Sequence, residues 1–266
     1  MNRFLCALIG LLCSLLSFAQ VDVLLSPEQL AQVGKKRMTL LPRVAPLSEE
    51  TILLADKSQL YALSEASFYA LSKSSSRQIS DFAVVGDFIM AIVDKKLCAL
   101  NEQYNWETIA SLPAAKMQMA PGYSSVYFYD TVPVKKKYNL YVYNMKNLKM
   151  AKLIASPEPI TAVVETGTTV LFSTPGSIYG VDGIQGKVAE LINLKDAGQI
   201  VSMCMNSRQD ILYVSTTQGL YKVEKGRTVR LSKEASGPVC MDGKGLVVAR
   251  PEKSVIYRLH NELLDK

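Results

Sequence analysis

One short pattern constrains this chain more than any other, a Leu-Tyr-x-Val strand that recurs six times. It appears as Leu60-Tyr61-Ala62-Leu63, Leu97-Cys98-Ala99-Leu100, Leu140-Tyr141-Val142-Tyr143, Ile178-Tyr179-Gly180-Val181, Leu220-Tyr221-Lys222-Val223 and Ile256-Tyr257-Arg258-Leu259. Successive copies start 37, 43, 38, 42 and 36 residues apart. Side chains alternate in character within each copy, which is the period of a strand. In 211–223 an apolar run and a short polar turn precede the copy, which is the form of a β-hairpin. A strand-type repeat of about forty residues predicts blades that pack face to face around an axis. The expected fold is therefore all-β, a six-bladed β-propeller of four-stranded blades.

Strands are expected near 52–55, 60–63 and 68–71 in blade one, and near 82–85, 89–93, 97–100 and 106–110 in blade two. Blade three takes 117–120, 126–129, 140–143 and 150–154, and blade four 161–165, 170–172, 178–181 and 188–192. Blade five takes 200–205, 211–214, 220–223 and 228–231. Turn pairs such as Gly86-Asp87, Lys225-Gly226 and Asp242-Gly243 punctuate them. Blade six offers 239–242, 245–250 and 255–259 but no fourth strand. An open edge would leave unpaired backbone groups, so residues 38–41, apolar and ended by Pro42, are expected to complete it.

The N-terminus has the form of a secretory signal over residues 1–19. Met1-Asn2-Arg3 is basic, 4–16 are apolar, and Ser17-Phe18-Ala19 supplies small residues for cleavage. The apolar stretch is too short to span a bilayer. A short helix in an extension over 20–36 is expected from Ser26-Pro27-Glu28-Gln29 to about 33, with a hydroxyl cap, Pro at the first helical position and Gln at the capping-box position. The propeller is expected over 37–266. The setting implied is secreted, periplasmic or envelope-associated, with no transmembrane segment once the leader is removed.

Charged residues make up 20% and apolar ones 48% of the chain, values of neither disordered nor membrane proteins. The formal charge is +6, and loss of the leader removes only Arg3. Basic residues are too dispersed for a nucleic-acid footprint. His260 is the only histidine, which argues against triad catalysis and zinc. After the leader three cysteines remain, Cys98, Cys204 and Cys240, an odd number that speaks against a disulfide framework. Cys204 and Cys240 hold matching places in consecutive repeats and are expected as buried thiols, a bridge between them being the alternative.

In repeat period and strand pattern, residues 38–259 resemble six-bladed propellers of the NHL, YWTD and gluconolactonase-like kind. The gluconolactonase resemblance implies a calcium-type ion held near the inner strands, and the acidic and amide residues at such places are Asp81, Glu165, Asn206 and Asp242. It also implies an alternative function, a metal-dependent lactonase or related hydrolase in the central channel. The stretch Ile178-Tyr179-Gly180-Val181-Asp182 with Gly186-Lys187 resembles a quinoprotein repeat. Those repeats end in Trp, and Trp106 is the only one here, so no quinone cofactor is carried over.

The connections between second and third strands point to a different function. In blades six, one, two and three they are charged, mainly basic, with Lys57, Asp94, Lys95, Lys96, Lys136, Arg250 and Lys253. In blades four and five they are neutral. In a closed ring the four charged connections are neighbours and form a crescent suited to an acidic partner. The reading reached from the sequence is a non-catalytic platform for a protein or glycan partner in the cell envelope, with no cofactor. Tyr61, Tyr141, Tyr179, Tyr221 and Tyr257 share one repeat position and are expected to pack between blades. Tyr123, Tyr127 and Tyr129 lie off that register as candidates for a contact patch.

Overall fold

The computed structural model describes residues 21–32, 43–65, 67–73, 76–167, 169–182, 186–234 and 237–264. Among them the chain begins with β1 (Val21–Leu25) and α1 (Pro27–Gln32). Blade one is β2 (Ala45–Pro46), β3 (Ile52–Ala55), β4 (Leu60–Leu63) and β5 (Phe68–Ala70). Blade two is β6 (Ile79–Val85), β7 (Phe88–Val93), β8 (Lys96–Leu100) and β9 (Trp106–Ser111). Blade three is β10 (Met117–Pro121), β11 (Ser125–Asp130), β12 (Tyr138–Asn144) and β13 (Lys149–Ser156). Blade four is β14 (Ala162–Thr166), β15 (Thr169–Ser173), β16 (Ser177–Asp182) and β17 (Val188–Asn193). Blade five is β18 (Ile200–Met205), β19 (Ile211–Thr216), β20 (Gly219–Glu224) and β21 (Arg227–Ser232). Blade six is β22 (Val239–Met241), β23 (Gly245–Arg250) and β24 (Val255–His260), completed by β1. The first strands of neighbouring blades touch all the way round, β22 against β2 included, so the ring is closed about a channel.

The six-fold motif has a physical basis. Its leading residue, Leu60, Leu97, Leu140, Ile178, Leu220 or Ile256, is fully buried in every blade. At the step from this residue to the next, the pairing with the outer strand slips by one residue in blades two to five. In blade one the Leu71 and Ser72 amides both donate to the Leu60 carbonyl, which has the same effect. Such a bulge strengthens the local twist, letting each flat sheet become a propeller blade. Six apolar clusters then sit at the junctions between blades, one per junction.

The strand that closes blade six is β1, which pairs antiparallel with β24. The stretch expected there, 38–41, lies outside the described residues, and the propeller instead takes in part of the expected extension. The pairing of β1 repeats the bulge of the other blades, slipping between Val23 opposite Tyr257 and Leu25 opposite Ile256. Leu24 and Leu25 enter the core, whereas Val23 is 60% exposed. Helix α1 follows with the expected capping box, Ser26 N–H donating to Gln29 Oε1 at 2.8 Å and Gln29 N–H to Ser26 Oγ at 3.4 Å. Leu30 from this helix is fully buried in the same cluster.

Charge reinforces the seam. Arg258 on β24 is fully buried and donates to Asp242 Oδ2 at 2.6 and 2.8 Å and to Glu65 Oε1 of blade one at 2.7 Å. Asp22 on β1 lies 3.7 Å from Arg258 and 2.7 Å from His260 Nε2. The lone histidine therefore fastens the closing strand. Lys244 of blade six reaches Glu50 and Glu65 of blade one at 3.1 and 3.0 Å.

Two outcomes follow from this seam. Leu25→Ala should cost about 2–5 kcal/mol in chemical denaturation, and Val23→Ala less than about 0.5 kcal/mol, although the two residues lie on the same five-residue strand. Hydrogen bonds from Lys244 and then Arg258 hold the Glu65 carboxyl below its usual range. Its contribution is thus present above the unfolded carboxyl's pKa of about 4.3 and lost as pH falls through the depressed folded value. Thermal melts from pH 7 to 3 should show Glu65→Gln less stable near neutrality and with a shallower acid decline; parallel curves would contradict this.

Candidate functional site: two faces of the ring and the channel between them

Each first strand runs from one face of the ring to the other, which divides the loops into two sets. The entry face holds the connections leading into first strands and those between second and third strands. The exit face holds the remaining two sets. Basic residues outnumber acidic ones in the entry-face connections, and acidic residues outnumber basic ones in the exit-face connections.

The structure brings the seven residues singled out from the sequence onto the entry face but gives them different work. Lys57, Lys95, Lys96, Lys136 and Lys253 are exposed. Asp94 is held by the Arg77 guanidinium at 3.1 Å and accepts the Gln78 amide at 2.9 Å. The Gln78 amide and Arg77 together hold its carboxyl below the usual range. Arg250 is drawn inward, ion-paired with Glu234 and 5.2 Å over the Tyr257 ring. Asp94 and Arg250 therefore build the face, and the lysines are what it presents. Lys135 and Lys137 join them from the longest of the connections between second and third strands.

Backbone geometry adds an independent signal. Lys95, Lys135 and Lys136 have φ of 66°, 52° and 65°, and Asp94 has 48°. The pairs Asp94-Lys95 and Lys135-Lys136 thus form left-handed hairpin tips, where Asn and Gly are favoured and a lysine costs about 1 kcal/mol or more. The base of the longer loop is pinned by buried Asp130, whose Oδ2 accepts the Asn139 amide at 2.9 Å and Asn139 Nδ2 at 2.6 Å. Val132 and Val134 stand 41% and 40% exposed beside the lysines.

The channel carboxylates are occupied. Fully buried Asp81 pairs with Arg43 at 3.1 Å and accepts the Phe82 and Met119 amides at 2.9 and 2.8 Å. Arg43 also donates to the Met119 carbonyl. Burial opposes the charge on Arg43, and Asp81 and Tyr129 outweigh it, raising the guanidinium's pKa. Burial pushes the Tyr129 phenol up to about 12. Asp242 serves Arg258 and the Lys244 and Gly245 amides. Asn206 closes its own hairpin through Asp210 and the Ile211 amide. Glu165 accepts the Tyr123 amide at 2.7 Å. No group of three or more His, Cys, Asp or Glu side chains converges among the described residues.

The cysteines are free thiols, with Cys98 and Cys240 buried and Cys204 half-buried. Of the repeated tyrosines, Tyr61 stacks on Phe68 and Tyr179 on Phe172, with centroids 5.4 and 5.1 Å apart. Tyr127 and Tyr129 are buried, leaving Tyr123 alone of its trio exposed. A feature the sequence reading missed is a cavity of about 400 Å3 at the exit end of the channel, lined from five blades. Its signal lay in Met203, Met205 and Met241 with Val163 and Val164, which read equally well as strand core. No described helix is long and apolar enough to cross a membrane.

No family model matches this chain, and no curated protein sequence matches it at a significant level. Its fold is similar to that of a gluconolactonase from Xanthomonas campestris, with TM-score 0.70 and 10% identity over 84% of this chain and 86% of that one. A protein described as a putative gluconolactonase gives 0.69 at 10% identity over 91% of both chains. A chain from a nidogen/laminin complex gives 0.59 at 8% identity over 73% of this chain and 80% of that one. At these identities the likeness establishes the six-bladed propeller and nothing finer.

Proposed function

We propose that this chain is a non-catalytic binding propeller, released from a secretory leader, whose basic entry face docks an acidic protein. The observation that carries the reading is the set of three lysines at left-handed hairpin tips of the entry face, against one, Lys225, on the exit face. Lys95, Lys135 and Lys136 occupy positions where glycine would cost the fold less, so the charge stands there at the expense of local backbone stability. Val132 and Val134 supply apolar contact beside these charges, as a protein interface needs and a purely electrostatic one does not. That a chain of a nidogen/laminin complex shares the fold supports a protein partner as a use of such rings. The names of the other structural neighbours favour the lactonase reading. The commitment of Asp81 to Arg43 and of Asp242 to Arg258 weighs against it.

The test uses the leaderless chain, a poly-glutamate peptide as probe and calorimetry across a salt series. Binding should weaken steeply with salt. Combined Lys95→Gly and Lys136→Gly should weaken it about tenfold, a change of roughly 1.4 kcal/mol, while the melting temperature stays level or rises. Unchanged affinity in this double variant would overturn the proposal. So would binding of an anionic polysaccharide such as alginate in preference to the peptide.

A further inference from the structure

The exit-face cavity is independent of the basic face and lies at the other end of the channel. It is lined by the inner strands of blades one, three, four, five and six, by Arg43 and Val44 leading into β2, and by the turns after the inner strands of blades three and five. At about 400 Å3 it falls within the range of small-molecule sites, about 300–1,000 Å3. Its wall is mainly apolar, with Val163 beside Met203, Met205 and Met241, whose thioether side chains give flexible, polarisable surface. Burial pushes the Cys204 and Cys240 thiols up, so both join the wall as neutral groups.

Two charged side chains line this space, Arg43 and Glu165. Arg43 is neutralised by Asp81. Glu165 forms no ion pair among the described residues, and its partners are neutral donors. The Tyr123 amide donates to Oε2 at 2.7 Å, and the Tyr127 phenol lies beside the same carboxylate. Burial first, and then Glu165, raises the Tyr127 phenol's pKa, so it stays a donor. The cradle is tight: a Cβ on Gly122 would run into Glu165 Oε2 and the Tyr127 ring, so any side chain there would have to displace the carboxylate. The result is a positioned negative charge at the edge of an apolar chamber, with Tyr123, 56% exposed, at the rim.

We propose that this cavity binds a small organic cation with an apolar body, its ammonium paired with Glu165 and its body against the methionine and valine wall. An unpaired carboxylate beside apolar surface favours a cation that desolvates it with charge-assisted hydrogen bonds. A neutral ligand of the same shape gains the apolar contact but not the pairing. An anion meets repulsion.

The experiment is calorimetric titration of the leaderless chain with phenethylamine, 2-phenylethanol and phenylacetate, which share one apolar body. Phenethylamine should bind roughly tenfold or more tightly than the alcohol, and phenylacetate should not bind. Glu165→Gln, checked by its melting curve, should bring the amine down to the affinity of the alcohol. The comparison within the wild-type chain stands even where that variant fails to fold. Equal affinity for amine and alcohol, or no binding of the amine tighter than about 1 mM, would overturn the proposal.

Discussion

Everything in this ring rests on one non-covalent seam, the pairing of β1 with β24. A propeller whose blades are built in chain order has one place where the ring must be closed without a hairpin. Here five residues close it. They do so with the means used elsewhere in the ring, the buried leucine pair and the bulge opposite Ile256 and Tyr257, and with one that is particular to the seam. Arg258 gathers Asp242 of its own blade, Glu65 of the next and Asp22 of the closing strand. A buried arginine without these acids would be costly, so its full pairing binds three separate segments into one arrangement.

Closure in turn determines what the two faces can be. Because the inner strands run the same way through the disc, every hairpin delivers its turns to a fixed side. Charge is then biased by side, with basic residues in excess in the entry-face connections and acidic residues slightly in excess in the exit-face ones. Within the channel, Asp81 and Arg43 neutralise each other. The entry face is thus free to act as a charged docking surface while the exit cavity keeps its own apolar character around Glu165.

Much of this architecture was legible in the sequence, because the information is repeated. The leading Leu or Ile of each motif is buried six times over, and a signal carried by six copies survives local exceptions such as Cys98 in place of Tyr. The closing strand was not legible. Val21-Asp22-Val23-Leu24-Leu25 and residues 38–41 are both short and apolar, and nothing local distinguishes a strand that meets its partner some 230 positions away in the chain. The inner strand of blade one, Ala45–Pro46, escaped notice for a related reason: two residues carry no periodicity. At the candidate site the exposed lysines were legible as a charged crescent, whereas the inward turn of Arg250 and the work of Asp94 depend on Glu234 and Arg77, which lie in other loops. The exit cavity was hidden because channel and core are lined by the same residue types.

The most direct test of the docking account is amide hydrogen exchange of the leaderless chain with and without saturating poly-glutamate. The account predicts slowed exchange at the entry-face turns around residues 94–96 and 131–137, with the exit-face turn at 206–210 unchanged. Slowed exchange at 206–210 with the lysine turns unaffected would contradict it.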